Sequence, residues 1–254
     1  MVLTAFVLVT YFGSDLAQIK SEASTFLKER DIAVRWEYPA TKNTESWHVT
    51  SKPVGPSMEA DAMAFWKIFK QEFAKYPKCF LKLSGLKEVD FVWGLAVGGQ
   101  VRSAMPDFIN ERLVLDVSNI KSADWFVRHV IHHEYYHMIE EQTHGSAYYK
   151  DPEWSKLNPS SFKYGDGGAK MRDGSVTPLK HPEPGFVNLY STAGLEEDKA
   201  EIWAVMFCSS DWKTIAPWLK EDHILASKIQ YLEDFASSAC PEMDASYWSK
   251  VRQG

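Results

Sequence analysis

The run RHVIHHEYYHMIEEQ, residues 128–142, constrains this chain more than any other stretch. It contains four histidines and neither Gly nor Pro, so it reads as one uninterrupted helix. Within it His133, Glu134 and His137 form H-E-x-x-H. Residues four apart share a helix face, so two imidazoles can converge on one metal ion while Glu134 projects toward a water beside it. Ser122 is the expected N-cap, and Asp124 falls in the first turn, where the helix dipole favours an acid. At average composition about one chain of this length in a hundred holds the pattern by chance, so a third ligand is required before it means a site.

One spacing fails and another fits. A metzincin arrangement needs Gly three residues and His six residues after His137, but those positions hold Glu140 and Thr143, and His144 is one residue late. A glutamate on a later helix, followed one turn on by a second acid, is present in GLEEDKAEIWAVM as Glu197 and Glu201. Glu197 is assigned as third ligand and Glu201 as the carboxylate that fixes the tautomer of a ligand imidazole. The neighbouring Glu196 and Asp198 read as solvated acids at a helix start. His129, one turn before His133, is expected to cap or pack, with the site face as the alternative; His132 is expected to point elsewhere, and His181 to be an ordinary loop histidine, with the cleft rim as the alternative.

Bulk properties narrow the class. With 254 residues, 45% hydrophobic and 24% charged, the chain can bury a sizeable core. A net charge of -6 with no basic block excludes a nucleic-acid binder. No stretch reaches the ~18–20 apolar residues of a membrane span. The amino-terminal MVLTAFVLVTYF has no Lys or Arg before it and no small-x-small site after it, so it reads as a buried strand and favours a cytoplasmic location over secretion. Three cysteines give no CxxC pair; the expectation is a Cys208–Cys240 disulfide or three buried thiols.

Along the chain, strand patterns at 6–12 and 31–38 flank a helix opened by Ser14 or Asp15. The polar, proline-containing stretch that follows suggests a boundary, with a strand-helix-strand extension or small lobe at 1–57 and the main domain at 58–254. From Glu59, residues Ala62, Phe65, Trp66, Phe69 and Phe73 form one helical stripe, ended by Pro77. Strands at 90–97 and 112–117 are expected, joined by a polar turn. The 145–185 stretch reads as one long loop, and helices return at 196–207 and 221–236.

HEYYH, followed some fifty residues later by NLYSTAGLEEDKAEIWAVMF, resembles the gluzincin zinc metallopeptidases related to anthrax lethal factor. DPEWSKLNPSSFKYG is similar to what precedes the second motif in a group of zinc-binding metallopeptidases. The resemblance spans roughly residues 60–250. It implies an α+β, zincin-like fold: a twisted sheet over the H-E-x-x-H helix, with a helical C-terminal subdomain. It implies one Zn2+ per chain held by His133, His137 and Glu197, with Glu134 as general base, Tyr190 facing the reacting carbonyl, and a peptide or protein substrate along the sheet edge. Lys199 departs from the related motif, which usually has an aromatic or apolar residue there. Two other classes share these residues: a zinc-binding interaction module without catalysis, and a zinc hydrolase of a non-peptide amide. The aromatic residues Trp154, Phe162 and Tyr164 would, by analogy, line apolar side-chain pockets.

Overall fold

The structure, a computed structural model, describes residues 15–39, 48–171 and 175–253. The strand expected at 6–12 lies outside the described residues. Helix α1 (Asp15–Lys28) starts with an acid in its first turn and buries Leu16, Ile19, Ala23, Phe26 and Leu27, the three- and four-residue spacing of one helical face. Strand β1 (Ala33–Arg35) is shorter than its pattern suggested. Strand β2 (Val49–Lys52) arises inside the stretch expected to be a boundary, where Val49 is buried.

Helix α2 (Glu59–Phe73) buries the whole expected stripe. Its Phe65, Trp66 and Phe69 rings meet Phe91 of the sheet edge-on, with centroids 6.1, 6.1 and 5.1 Å away. Each such ring, fully removed from water, contributes about 1.5–3 kcal/mol. Helix α3 (Lys78–Leu83) follows Pro77, which caps it in an extended conformation.

The sheet is mixed. Strand β3 (Glu88–Val97) is its spine, pairing in parallel with β1 and with β6 (Arg112–Asp116), and in antiparallel with β2 and the short β4 (Gln100–Val101). Among the described residues, strand β5 (Ala104–Asp107) pairs in antiparallel with β6 only, as the last strand of the sheet. The expected polar turn between β3 and β6 therefore contains two strands. Their pattern is weak for a physical reason: β5 is short, pairs on one side, and carries Pro106, which an edge position tolerates. Val89, Phe91, Leu113 and Leu115 enter the main core, while Val92, Met105 and Val114 form a smaller cluster with Val49.

Helix α4 (Asp124–His144) runs through the interior. Val127, Ile131, Tyr135, Met138 and Ile139 bury one face of it, and Gly145 ends it in the left-handed conformation (φ 70°), its N–H bonded to Glu141 O. Its N-cap is Ala123 and not Ser122, which instead closes the preceding 3-10 turn. The 145–185 stretch contains a short helix, α5 (Pro152–Leu157), capped by Asp151.

The C-terminal part is helical: α6 (Leu195–Phe207), α7 (Ser209–Ile215), α8 (His223–Ala239) and α9 (Ala245–Gln253). Helix α6 packs along α4 and is buried nearly throughout. Trp154 is fully buried in this interior, donating to Asp198 and Tyr164, whereas Phe162 is half-buried and packs on Phe186. Tyr164 likewise donates to Asp198. Cys79 pairs with Cys240, with Cα atoms 5.5 Å apart, because α3 packs on the end of α8. The expected Cys208–Cys240 bridge is thus replaced, and Cys208 is a buried free thiol between α6 and α7. No helix among the described residues is long and apolar enough to cross a membrane.

Candidate metal centre

Helices α4 and α6 bring His133, His137 and Glu197 together, each less than a tenth exposed. The Nε2 atoms of His133 and His137 lie 3.2 Å apart, and Glu197 Oε2 lies 3.1 and 3.6 Å from them. Ligands at the ~2.0–2.1 Å zinc–nitrogen and zinc–oxygen distances, at the corners of a tetrahedron, are separated by about 3.3 Å, so this triangle has the right size. Glu197 Oε2 is buried with no hydrogen bond of its own, a costly state for a carboxylate unless a cation satisfies it. Burial pushes the Glu197 carboxyl up, but the neighbouring His133 and His137 hold it well below the usual carboxylate range. The donor set, two imidazoles and one carboxylate, suits zinc.

Glu201, one turn after Glu197, places Oε1 2.8 Å from His133 Nδ1. Its Oε2 contacts His129 Nε2 at 3.0 Å and accepts from Asn188 Nδ2. The other His129 nitrogen lies 2.9 Å from Asp211 Oδ2. Burial alone would lower the His129 pKa, yet Glu201 and Asp211 raise it to about 9, so this imidazole is a cation between two carboxylates. His129, Asn188 and Asp211 thus belong to the support of the site, although sequence reasoning did not place them there. For His129 the one-turn offset from His133 raises the site face as the alternative to capping or packing. Nothing in the sequence marked Asp211.

His132 turns away, contacting Glu72 (2.9 Å) and the Tyr76 hydroxyl (2.8 Å). His181 contacts Asp222 and stacks on Trp218, away from the centre. Asp198, expected to be solvated, is instead fully buried and bonded to Lys228 at 2.7 Å, whereas Glu196 is half-buried in the cleft. Lys199 is also buried, its ammonium donating to Glu140 (3.0 Å) and Asp151 (2.7 Å). Those carboxylates explain how a lysine occupies a core position of α6.

Glu134 and Tyr190 line the same cavities as His133. Tyr190 sits in a 3-10 turn (Tyr190–Thr192), its ring 6.0 Å from that of His133. Burial, then the charges of Glu197, Glu134 and Glu201, push its hydroxyl pKa upward, so it keeps a proton to donate. Gly168 presses against this group: a Cβ there would lie 2.0 Å from Glu197 Oε1 and 2.3 Å from the Tyr190 hydroxyl.

No family model and no curated protein matches the chain. A solved structure from Bacteroides caccae ATCC 43185, described as a "putative zinc-binding metallo-peptidase", is similar to it with a TM-score of 0.55 and 16% identity, over 98% of this chain and 94% of that one. At that identity the likeness concerns the fold: an α+β arrangement with a mixed sheet and a helical C-terminal part.

Proposed function

We propose that this protein is a zinc metallopeptidase of the gluzincin type, built on a zincin-like fold, with its catalytic domain at 58–254 and residues 1–57 as an extension. The observation that carries the reading is the convergence of His133, His137 and Glu197 in a cavity also lined by Glu134 and Tyr190. His133, His137 and Glu197 would hold one Zn2+ per chain. When bound, zinc supplies Lewis-acid polarisation of a carbonyl and a lowered pKa for water.

The remaining roles fall to the chain's own residues. Glu134 accepts a proton from the attacking water and returns it to the leaving amine. Tyr190 donates its hydroxyl hydrogen to the oxygen on which charge develops. Glu201 fixes the His133 ring, and His129, by its positive charge, offsets the cost of burying Glu201. A peptide or protein substrate lies along β5, the last strand of the sheet, where main-chain hydrogen bonds can add it as a further strand.

The test is digestion of a mixed peptide library by wild type and Glu134→Gln, with and without chelator. Wild type should cleave and lose activity with chelator. Glu134→Gln should retain metal and lose about 10²–10⁴-fold in turnover. Cleavage by Glu134→Gln at the wild-type rate would overturn the assignment of the base.

A further inference from the structure

Arg30, Arg35, Arg112, Arg128 and Arg252 are each ion-paired with a carboxylate. Arg102 is not. Among the described residues its guanidinium has neither a carboxylate partner nor a hydrogen bond, although the residue is half-buried. A guanidinium carries five N–H donors in a planar fork, and donors left unmet away from bulk water are costly unless a ligand takes them. The turn that carries Arg102 joins β4 to β5 and is held at three points. Arg102 N–H donates to Leu95 O (2.9 Å), while Ser103 O accepts from Asp116 N–H (3.0 Å) and from Asn119 Nδ2 (2.8 Å). The free cation therefore stands on a fixed backbone, which lowers the ordering cost of binding through it.

Its position gives this cation a use. Arg102 lines two cavities, of about 400 and 270 Å³, and His133, Glu134 and Tyr190 line both as well. Among the described residues it is the only Lys or Arg lining either cavity. The larger one also holds Glu134, Glu196 and Glu197, of which Glu197 faces the two imidazoles. None of the three is ion-paired with Arg102. These acids disfavour an anion elsewhere in the cavity, so a carboxylate that enters is stable against Arg102 and its place is fixed. The guanidinium fork matches a carboxylate in particular, through two parallel N–H···O bonds. Gln100 and Tyr148, in the same cavity, offer an amide and a hydroxyl donor.

We propose that Arg102 is a substrate-recognition residue, and that its guanidinium takes a carboxylate of the bound peptide close to the scissile bond. That carboxylate is either the free C-terminus of the substrate or an Asp or Glu side chain, and the two sources are separated below. The bond that is cut rests on the peptidase reading; the carboxylate preference rests on Arg102 and the two cavities alone. A hydrogen bond to a charged group is worth about 10–150-fold in affinity, which sets the size of the expected preference.

The test is a fluorescence-anisotropy titration of Glu134→Gln protein, which needs no turnover, with labelled peptides of one sequence that lacks Asp and Glu. One peptide is amidated at its C-terminus and one has a free C-terminal carboxylate. An amidated set carries a single Glu at each position in turn. Binding about 10–150-fold tighter than that of the neutral amide identifies the C-terminus as the source if the free-carboxylate peptide shows it, and an acidic side chain if a member of the Glu set does. Either result supports the proposal when Arg102→Gln in the same background abolishes the difference. Arg102→Gln breaks no pair within the fold, so its urea midpoint and zinc content should stay those of its parent. Equal affinity for all peptides, binding of none, or a preference that survives Arg102→Gln because the metal takes the carboxylate overturns the proposal. A loss in Arg102→Gln that is the same for neutral and acidic peptides also overturns it, since the arginine then holds the substrate main chain. All of these leave the peptidase reading to its own test. Carboxylate-dependent binding without any cleavage by the zinc-loaded wild type would sink the peptidase reading and keep Arg102 as an anion site.

Discussion

Gly168 has no side chain, and the centre depends on that. A methyl group there would fall 2.0 Å from Glu197 Oε1, closer than any contact allows, and Glu197 or the backbone must move. Gly168→Ala is therefore expected to lower zinc retention without touching a ligand, measured as metal content after dialysis; unchanged content would show that the loop yields freely. Asp90 offers a pH test far from the centre. Both its carboxylate oxygens are buried without hydrogen bonds, and burial, then Glu88, push its pKa from 3.8 up to about 7. Between those values the folded state holds a proton the unfolded state has lost, so stability falls as pH rises and the deficit is complete above about 7. Asp90→Asn should thus match wild type near pH 4 and exceed it at pH 8, read from urea midpoints. A gap that is equal at both pH values would contradict the assignment. Neither Gly168 nor Asp90 was legible in the sequence, because both effects arise from what the fold places against them.

At the scale of elements, the long periodic helices were legible and the short paired pieces were not. α2 and α4 declared themselves by spacing, and α6 by the Glu197–Glu201 pair within a predicted helix. β2, β4 and β5 were missed because each owes its existence to β3 or β6 beside it more than to its own pattern. The odd lysine of α6 was visible, but its partners Glu140 and Asp151 come from α4 and the α5 cap. Removing one member of such a buried set leaves charges unpaired. Lys199→Met is expected to cost about 3–5 kcal/mol in chemical denaturation. A loss under about 1 kcal/mol would mean that Glu140 or Asp151 takes up a proton or water at little cost.

For the whole molecule, the Cys79–Cys240 bridge ties α3 to the end of α8 across 161 residues of sequence. The chain-entropy model gives a loop of that length about 5 kcal/mol of stabilisation, and Cys79→Ser should reveal a large part of it as a lowered Tm under non-reducing conditions. Indifference of Tm to this change would show that packing of α3 on α8 alone holds the two regions. The same global packing aligns α4 with α6 and so sets the distances at the candidate centre. The sequence named His133, Glu134 and His137 by motif and Glu197 by spacing, and the fold brings His133, His137 and Glu197 within reach of one ion. The measurement that bears most directly on the account is the zinc content of purified wild type beside Glu197→Ala, each reconstituted with zinc and dialysed without chelator. The account predicts about one zinc ion per wild-type chain and a marked loss in the variant; no zinc in wild type, or equal retention by both proteins, would contradict it.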